Sequence, residues 1–160
     1  GHLVLQMAKH KFPDSDIYVF ARNPDEREFA RELGAVWAGP TEAKAPEALH
    51  AVIDTTPAWK PVVEALKNLI PGGRLVINAI RKEAGDKKEL LNLNYSEHLW
   101  MEREIKSVAN VTRSDVKACL SLAAEIPLKP ETKTFALEQA NQALLELRTG
   151  KIRGAKVLKF

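Results

Sequence analysis

Hydrophobic and polar positions along the chain alternate between short apolar runs and longer amphipathic stretches. Short clusters of apolar, β-branched and aromatic residues predict buried strands, and apolar residues recurring every three or four positions predict helices. Strands and helices that alternate at this length are typical of an α/β fold with a parallel sheet and crossover helices. The predicted strands are 17–20, 36–37, 51–54, 74–80, 105–111, 133–136 and 155–160.

The amphipathic stretches predict five helices. A helix after residue 56 is expected to begin near Pro57, with Thr56 as its cap, and to end at a Pro-Gly-Gly turn. Its apolar face is predicted to run as far as Leu69 and Ile70. In the last two helices, six residues are expected to point inward: Val116, Leu120, Ala123, Ala140, Leu144 and Leu147.

The stretch 17–35 is the most informative segment, because it predicts a strand, a short turn and an amphipathic helix in direct succession. Asn23 is expected to cap that helix, and Pro24 suits its first position, where a missing N–H costs nothing. In a doubly wound sheet, the turn after such a strand faces the ligand crevice. The residues of this turn, Ala21, Arg22 and Asn23, should therefore indicate the ligand.

Composition and charge exclude several classes of function. The chain has 160 residues and a net charge of +3, and its basic residues are interleaved with acidic ones, so no nucleic-acid partner is expected. No apolar run reaches the length of a membrane span, so no membrane partner is expected either. Cys119 is the single cysteine, which excludes an internal disulfide, and a cytoplasmic location is the default expectation.

No residue forms a recognisable catalytic or metal-binding group. The four histidines lack metal-ligand spacing, so we expect no metal site in this chain. No side chain is a credible acid, base or nucleophile, and Cys119 is expected to be a small buried residue. The mixed charges of 81–88 are interpreted as a solvated loop.

Six segments, in this order, resemble the second half of the medium-chain dehydrogenase/reductase family, and most closely its zinc-dependent alcohol dehydrogenases. GHLVLQMAK is similar to the end of the family's glycine-rich fingerprint and the helix after it. EREFARELGA, VIDTTPAW, PGGRLVINAI and IKSVANVTRSD follow as in the family, and FALEQANQALLELRTGKIRGAKVLKF resembles its C-terminal return. The resemblance spans nearly the whole chain.

The resemblance implies an α/β, Rossmann-like doubly wound parallel sheet that lacks its first strand. It assigns residues 1–127 to an NAD(P)-binding domain and 128–160 to a segment that rejoins the catalytic domain. Catalytic zinc and its ligands would belong to the other half of the enzyme. The chain alone is therefore expected to bind no zinc and to be inactive.

The resemblance also implies which residues bind the cofactor. Gly1 matches the last glycine of the fingerprint. NAD-specific members place an acidic residue about 20 residues after the glycine turn, on the ribose hydroxyls. Ala21, Arg22 and Asn23 occupy that place here, which favours NADP(H), with NAD(H) still possible, because an arginine there can bind a 2′-phosphate.

Two further groups of residues are implied by their place after strands. Thr55 and Thr56 are expected near the adenosine or ribose, and the alternative that Thr56 only caps a helix is left open. The expected nicotinamide contacts, largely through the backbone, are Asn78, Ala79, Ile80, Val108 and Asn110. The family also pairs one sheet edge across a dimer axis, which predicts a homodimer through the edge at Leu99–Ile105.

The function implied is that of the nucleotide-binding portion of an alcohol dehydrogenase, which transfers hydride between NAD(P)(H) and an alcohol or aldehyde. Its partners would be a nicotinamide dinucleotide and that substrate. A zinc-free quinone or enoyl reductase of the same superfamily is an alternative. Others are a non-catalytic NADP(H)-binding module and a methyltransferase-like sheet that binds S-adenosylmethionine.

Overall fold

The computed structural model describes residues 1–126, 128, 130–150 and 153–160. These residues form two compact units, unit 1 (Gly1–Ser15 and Ala118–Phe160) and unit 2 (Asp16–Lys117). In chain order the elements are α1 (His2–Lys11), β1 (Tyr18–Phe20), α2 (Pro24–Glu32), β2 (Trp37–Gly39), β3 (Leu49–Asp54), α3 (Lys60–Leu66), β4 (Leu69–Ile77), β5 (Glu104–Ser107), α4 (Arg113–Glu125), β6 (Thr132–Ala136), α5 (Ala140–Arg148) and β7 (Ala155–Lys159).

The strands of unit 2 form two parallel groups, β1-β2 and β3-β4-β5. A doubly wound sheet has the strand order 3-2-1-4-5-6. In that order, β1 and β2 correspond to strands 2 and 3, and β3, β4 and β5 correspond to strands 4, 5 and 6. Strand 1, which lies between the two groups in a complete sheet, is not among the described strands. The predicted fold class, a Rossmann-like sheet lacking its first strand, is confirmed.

The core of unit 2 lies between α3 and the three-stranded sheet. Leu66 and Leu75 are completely buried, and Val62 and Leu69 are nearly so. Each such aliphatic side chain contributes about 1.5–3 kcal/mol by leaving water. This packing fixes α3 on one face of the sheet and so sets where the strand ends emerge.

The boundaries of α3 and β4 differ from the prediction. Leu69 and Ile70 belong to β4, because Leu69 pairs with Leu49 of β3 across a register shift. Gly72 has a φ of 70°, which lets the strand continue through the Pro-Gly-Gly segment. Apolar residues at 66, 69 and 70 have the helical spacing of three and four, so the pattern extended the predicted helix into the start of β4.

The strand ends also differ from the prediction. β4 stops at Ile77 and β5 at Ser107, so the predicted strands 74–80 and 105–111 are each too long. The charged segment after β4 contains a short 3₁₀ turn at Lys87–Asn92 and a π-helical turn at Tyr95–Leu99. Much of the predicted nicotinamide contact region therefore lies in loops.

Unit 1 contains α1, α5 and the parallel pair β6-β7. Phe135 and Ala143 are buried there, but Leu144 and Leu147, which were expected to point inward, are exposed. Val116 and Leu120 of α4 are also exposed, which contradicts the predicted inward face. Periodicity identifies the apolar stripe of a helix, but it cannot say whether another element covers that stripe.

Two expectations remain, one about the domain boundary and one about membrane spans. The predicted division between 127 and 128 stays a prediction, and Pro127 lies outside the described residues. None of the described helices is long and apolar enough to cross a membrane.

Candidate functional site

Three strands of unit 2 end at a common edge. The parallel register pairs Asp54 with Ile77, and Ile77 with Ser107. Two backbone hydrogen bonds continue this ladder one residue beyond the strands. Asn78 N donates to Asp54 O at 2.7 Å, and Val108 N donates to Ile77 O at 3.1 Å. Three predicted site residues leave the sheet together at this edge: Thr55, Asn78 and Val108.

The other predicted nicotinamide-contact residues follow at the same edge. Ala79 is partly buried, whereas Ile80 is fully exposed and faces solvent. Asn110 has a φ of 58°, in the left-handed region that asparagine tolerates better than most residues. This backbone turn ends the extended chain after β5 and places Asn110 in a loop rather than in the predicted strand.

A second turn, between β1 and α2, holds the three predicted adenosine-side residues. Asn23 caps α2 as predicted, because its Oδ1 accepts a hydrogen bond from Asp25 N at 2.9 Å. Ala21 N donates to Gly39 O at 3.0 Å, so the turn stays tied to β2. Arg22 lies between these two anchored positions, and its side chain is exposed.

Arg27 brings a second guanidinium to this turn, and sequence reasoning missed it. Its Nη1 donates to Ala21 O at 2.9 Å and to Arg22 O at 3.0 Å. Both carbonyls therefore accept a hydrogen bond from α2, which holds the turn in one conformation. The signal was Arg27 itself, one helical turn after the Asn23 cap, where a long side chain reaches back over the turn.

The turn between β3 and α3 is built around a buried ion pair. The Lys82 and Asp54 side chains are only 10% and 3% exposed, and Lys82 Nζ donates to Asp54 Oδ2. The same ammonium donates to Thr56 O at 2.9 Å and to Ala58 O at 2.7 Å. All three N–H donors of the ammonium are thereby used, which compensates its burial.

Asp86 fixes the start of α3 from the same loop that carries Lys82. Its Oδ2 accepts from Trp59 N at 2.8 Å and from Lys60 N at 2.9 Å. Glu83 N donates to Pro57 O at 2.8 Å. We call the segment 82–86, with its bonds to residues 54–60, the latch.

Two expectations are wrong at this turn. Thr56 does not cap α3, because the helix begins at Lys60 and its free amides are bound by Asp86. The Thr56 hydroxyl instead donates to Asp54 Oδ1 at 2.8 Å, while Thr55 is exposed. The segment 81–88 is not simply a solvated loop, because Lys82 is buried; an aspartate at the end of a buried strand was the available signal.

Gly1 is the N-cap of α1 in unit 1, and Leu5 N donates to its carbonyl at 3.1 Å. A Cβ at this position would meet nothing within 4 Å, so the described structure gives no close packing that requires glycine here. The fingerprint role of Gly1 stays a prediction. Cys119, expected to be buried, is exposed.

Comparison with known proteins finds alcohol dehydrogenases among the relatives of this chain. No protein-family model matches the chain. The chain is 35% identical over 158 residues to the probable alcohol dehydrogenase AdhA of Mycobacterium tuberculosis, covering 99% of the chain and 44% of that protein. It is 27% identical over 166 residues to the alcohol dehydrogenase notN of an Aspergillus species, covering 46% of that protein.

Solved structures agree on the fold. The alcohol dehydrogenase of Aeropyrum pernix superposes with a TM-score of 0.78 at 18% identity, covering 97% of this chain and 46% of that one. The cinnamyl alcohol dehydrogenase SbCAD4 of Sorghum bicolor gives 0.78 at 20% identity, covering 99% and 44%. In sequence and in fold, the chain therefore matches a C-terminal half of alcohol dehydrogenases.

The chain spans less than half the length of the curated relatives it matches. The Escherichia coli K-12 protein YHDH, solved with bound NADPH, shares the fold with a TM-score of 0.72 at 16% identity, over 99% of this chain and 50% of that one. Among the described residues of the chain, no three His, Cys, Asp or Glu side chains group as metal ligands.

Proposed function

We propose that the chain is the nucleotide-binding portion of a zinc-dependent, NADP(H)-preferring alcohol dehydrogenase. The observation that carries the proposal is the common edge at which three parallel strands end, because ligands of open α/β sheets bind outside the carboxyl ends of strands. The choice of alcohol dehydrogenase rests on the curated relative at 35% identity. Hydride transfer would belong to the whole enzyme, and none of the residues of this chain is assigned a catalytic role.

The turn after β1 fits an adenosine ribose that carries a 2′-phosphate. It offers the exposed guanidinium of Arg22, while Arg27 holds the carbonyls of residues 21 and 22. No carboxylate stands at 21–23, where an acidic residue would bind the ribose hydroxyls of NAD. Asp25 and Glu26 follow in the first turn of α2, so recognition here depends on direct contact with Arg22 rather than on the net charge of the region.

The nicotinamide half of the cofactor would lie at the edge of β3, β4 and β5. Thr55, expected near the adenosine or a ribose of the cofactor, offers an exposed hydroxyl there, and we assign it to the ribose of the nicotinamide half. The loops at 78–80 and 108–110 offer backbone groups. When bound, the cofactor supplies hydride at nicotinamide C4. The residues of this chain would bind the dinucleotide and orient it toward the other half of the enzyme.

The test is a titration of the chain with NADPH and with NADH, followed by the fluorescence of the reduced nicotinamide. We expect tighter binding of NADPH. Replacing Arg22 by alanine should weaken NADPH binding about tenfold or more, since a charge-assisted bond to phosphate is lost, and should leave NADH binding nearly unchanged.

The matched control is Arg148→Ala, which removes an exposed arginine of unit 1 and should change neither affinity. Equal affinity of the unmutated chain for NADPH and NADH would refute the NADP(H) preference. Absence of binding by either cofactor would refute the nucleotide-binding proposal itself.

Zinc dependence and the alcohol substrate concern the whole enzyme. Metal analysis of the native protein that carries this chain should find zinc, and that protein should reduce an aldehyde with NADPH. A zinc-free protein that reduces a quinone or an enoyl thioester would favour the alternative reductase. Cofactor binding without turnover in the complete native protein would favour a non-catalytic module, and a response to S-adenosylmethionine but not NADPH would favour a methyltransferase.

The sheet edge formed by β5 is proposed as a homodimer interface. All four residues of β5 are exposed, among them Ile105, and Trp100 and Met101 present large apolar surfaces just before the strand. An exposed strand edge with apolar residues favours pairing with another edge. We place the proposed enzyme in the cytoplasm, since this chain, with one cysteine, can form no internal disulfide.

A further inference from the structure

We infer that Lys82 is a positioning residue, which holds the turn after β3 and the segment after β4 in the one arrangement that receives the nicotinamide half of the dinucleotide. The inference rests on the proposed function and deepens it. It begins from the latch, in which the ammonium of Lys82 is bound on three sides by groups from residues 54–58.

The latch joins the two segments that the proposed nicotinamide site requires. Thr55 lies on the turn after β3, and Lys82 follows the segment 78–80 by two residues. Because the Lys82 ammonium binds Asp54 and two carbonyls of the turn, it fixes the spacing between the two segments. Neither segment belongs to a strand or a helix, so the sheet alone does not fix it.

The latch also decides which threonine is available. The hydroxyl of Thr56 donates to Asp54 Oδ1 at 2.8 Å, and its N–H donates to the same oxygen at 3.1 Å. Thr55 is exposed, and among the described residues its hydroxyl has no hydrogen-bond partner. With Asp54 held by Lys82, the turn therefore directs Thr56 inward and leaves Thr55 for a ligand.

Removing the ammonium would leave the Asp54 carboxylate buried without its counter-ion and two carbonyls without their donor. Such a turn rearranges or admits water, because an unpaired buried charge is costly. Among the described residues, the partners of the adenosine-side turn at 21–23 are Gly39, Asp25 and Arg27, and none of its hydrogen bonds reaches the latch. Loss of Lys82 should therefore affect one half of the cofactor far more than the other.

The experiment compares Lys82→Met with the unmutated chain, using NADPH as the whole ligand and 2′,5′-ADP as its adenosine end. We expect Lys82→Met to weaken NADPH binding about tenfold or more, while the affinity for 2′,5′-ADP changes less than about twofold. Lys88→Met is the matched control, because it removes an exposed lysine nearby and should change neither affinity.

A second variant tests whether NADPH binding needs the hydrogen bonds of Lys82 or only the balance of charge between Lys82 and Asp54. Asp54→Asn/Lys82→Met removes both charges, so it should fold even where the single variant does not, and it should still bind NADPH weakly. Restored NADPH affinity in the double variant would overturn the inference, and so would unchanged affinity in Lys82→Met. An equal loss for NADPH and 2′,5′-ADP would overturn it too, because that pattern indicates general destabilisation. Failure of the unmutated chain to bind NADPH would instead count against the proposed function.

Discussion

Asp86 offers a prediction whose size can be worked from two bonds. Its Oδ2 accepts both Trp59 N and Lys60 N, at 2.8 and 2.9 Å, and these amides begin α3. Loss of a helix cap costs about 1–2 kcal/mol, and a hydrogen bond to a charged group contributes about 1.5–3 kcal/mol. Because Asp86 is partly exposed and water replaces some of this, we expect Asp86→Ala to destabilise the protein by about 2 kcal/mol.

For a chain of this length, 2 kcal/mol corresponds to a fall in Tm of about 4–8 °C. Asp86→Asn should cost much less, because both amides bind one oxygen and an asparagine can present a carbonyl oxygen in the same place. Glu83→Ala removes a neighbouring exposed carboxylate and should change stability by less than about 0.5 kcal/mol. Thermal unfolding followed by circular dichroism measures all three variants. Asp86→Ala with an unchanged Tm, or a loss in Asp86→Asn as large as in Asp86→Ala, would refute the reasoning.

Two further predictions concern acid stability and assembly. The ammonium of Lys156, at 2.5 Å, and then that of Lys133 hold the pKa of Glu146 at about 2, below its ordinary 4.5. Because the pKa is lower in the folded state, this stabilisation is complete above pH 4.5 and is lost as pH falls toward 2. Glu146→Gln should therefore flatten the acid side of a plot of Tm against pH. An unchanged slope would contradict the prediction. Ile105→Asp should convert the proposed dimer to a monomer by light scattering, whereas an unmutated monomer would exclude the dimer.

The parts of the fold that were predicted correctly depend on local signals. The Asn23 cap, Pro24 in the first turn and the apolar face of α2 lie within a few residues of one another, so the sequence alone specifies them. The strand order followed from a family resemblance rather than from any local pattern. The break between α3 and β4 was missed, because Leu69 and Ile70 continue the helical spacing from Leu66, and only pairing with β3 shows that they begin a strand.

The candidate site was predicted where backbone position carries the argument and missed where distant side chains do. The turn at 21–23 and the end of β3 were placed by strand and helix succession, whereas the ends of β4 and β5 were predicted three and four residues too late. Lys82 and Asp86 looked like part of a charged surface run, because their partners lie 24 to 28 residues earlier in the chain. The periodicity of apolar residues carries no information about an ion pair between two loops.

The short sequence span of the latch has a kinetic consequence. Its bonds join residues only 24 to 28 positions apart, and the entropic cost of closing a loop rises slowly with its length. Strand β4, which pairs with β3, lies within the same segment, so these contacts do not depend on β5 or on the two-stranded group β1-β2. We therefore expect the segment from β3 to Asp86 to close on itself during folding, and the proposed nicotinamide turn to take its shape within that segment.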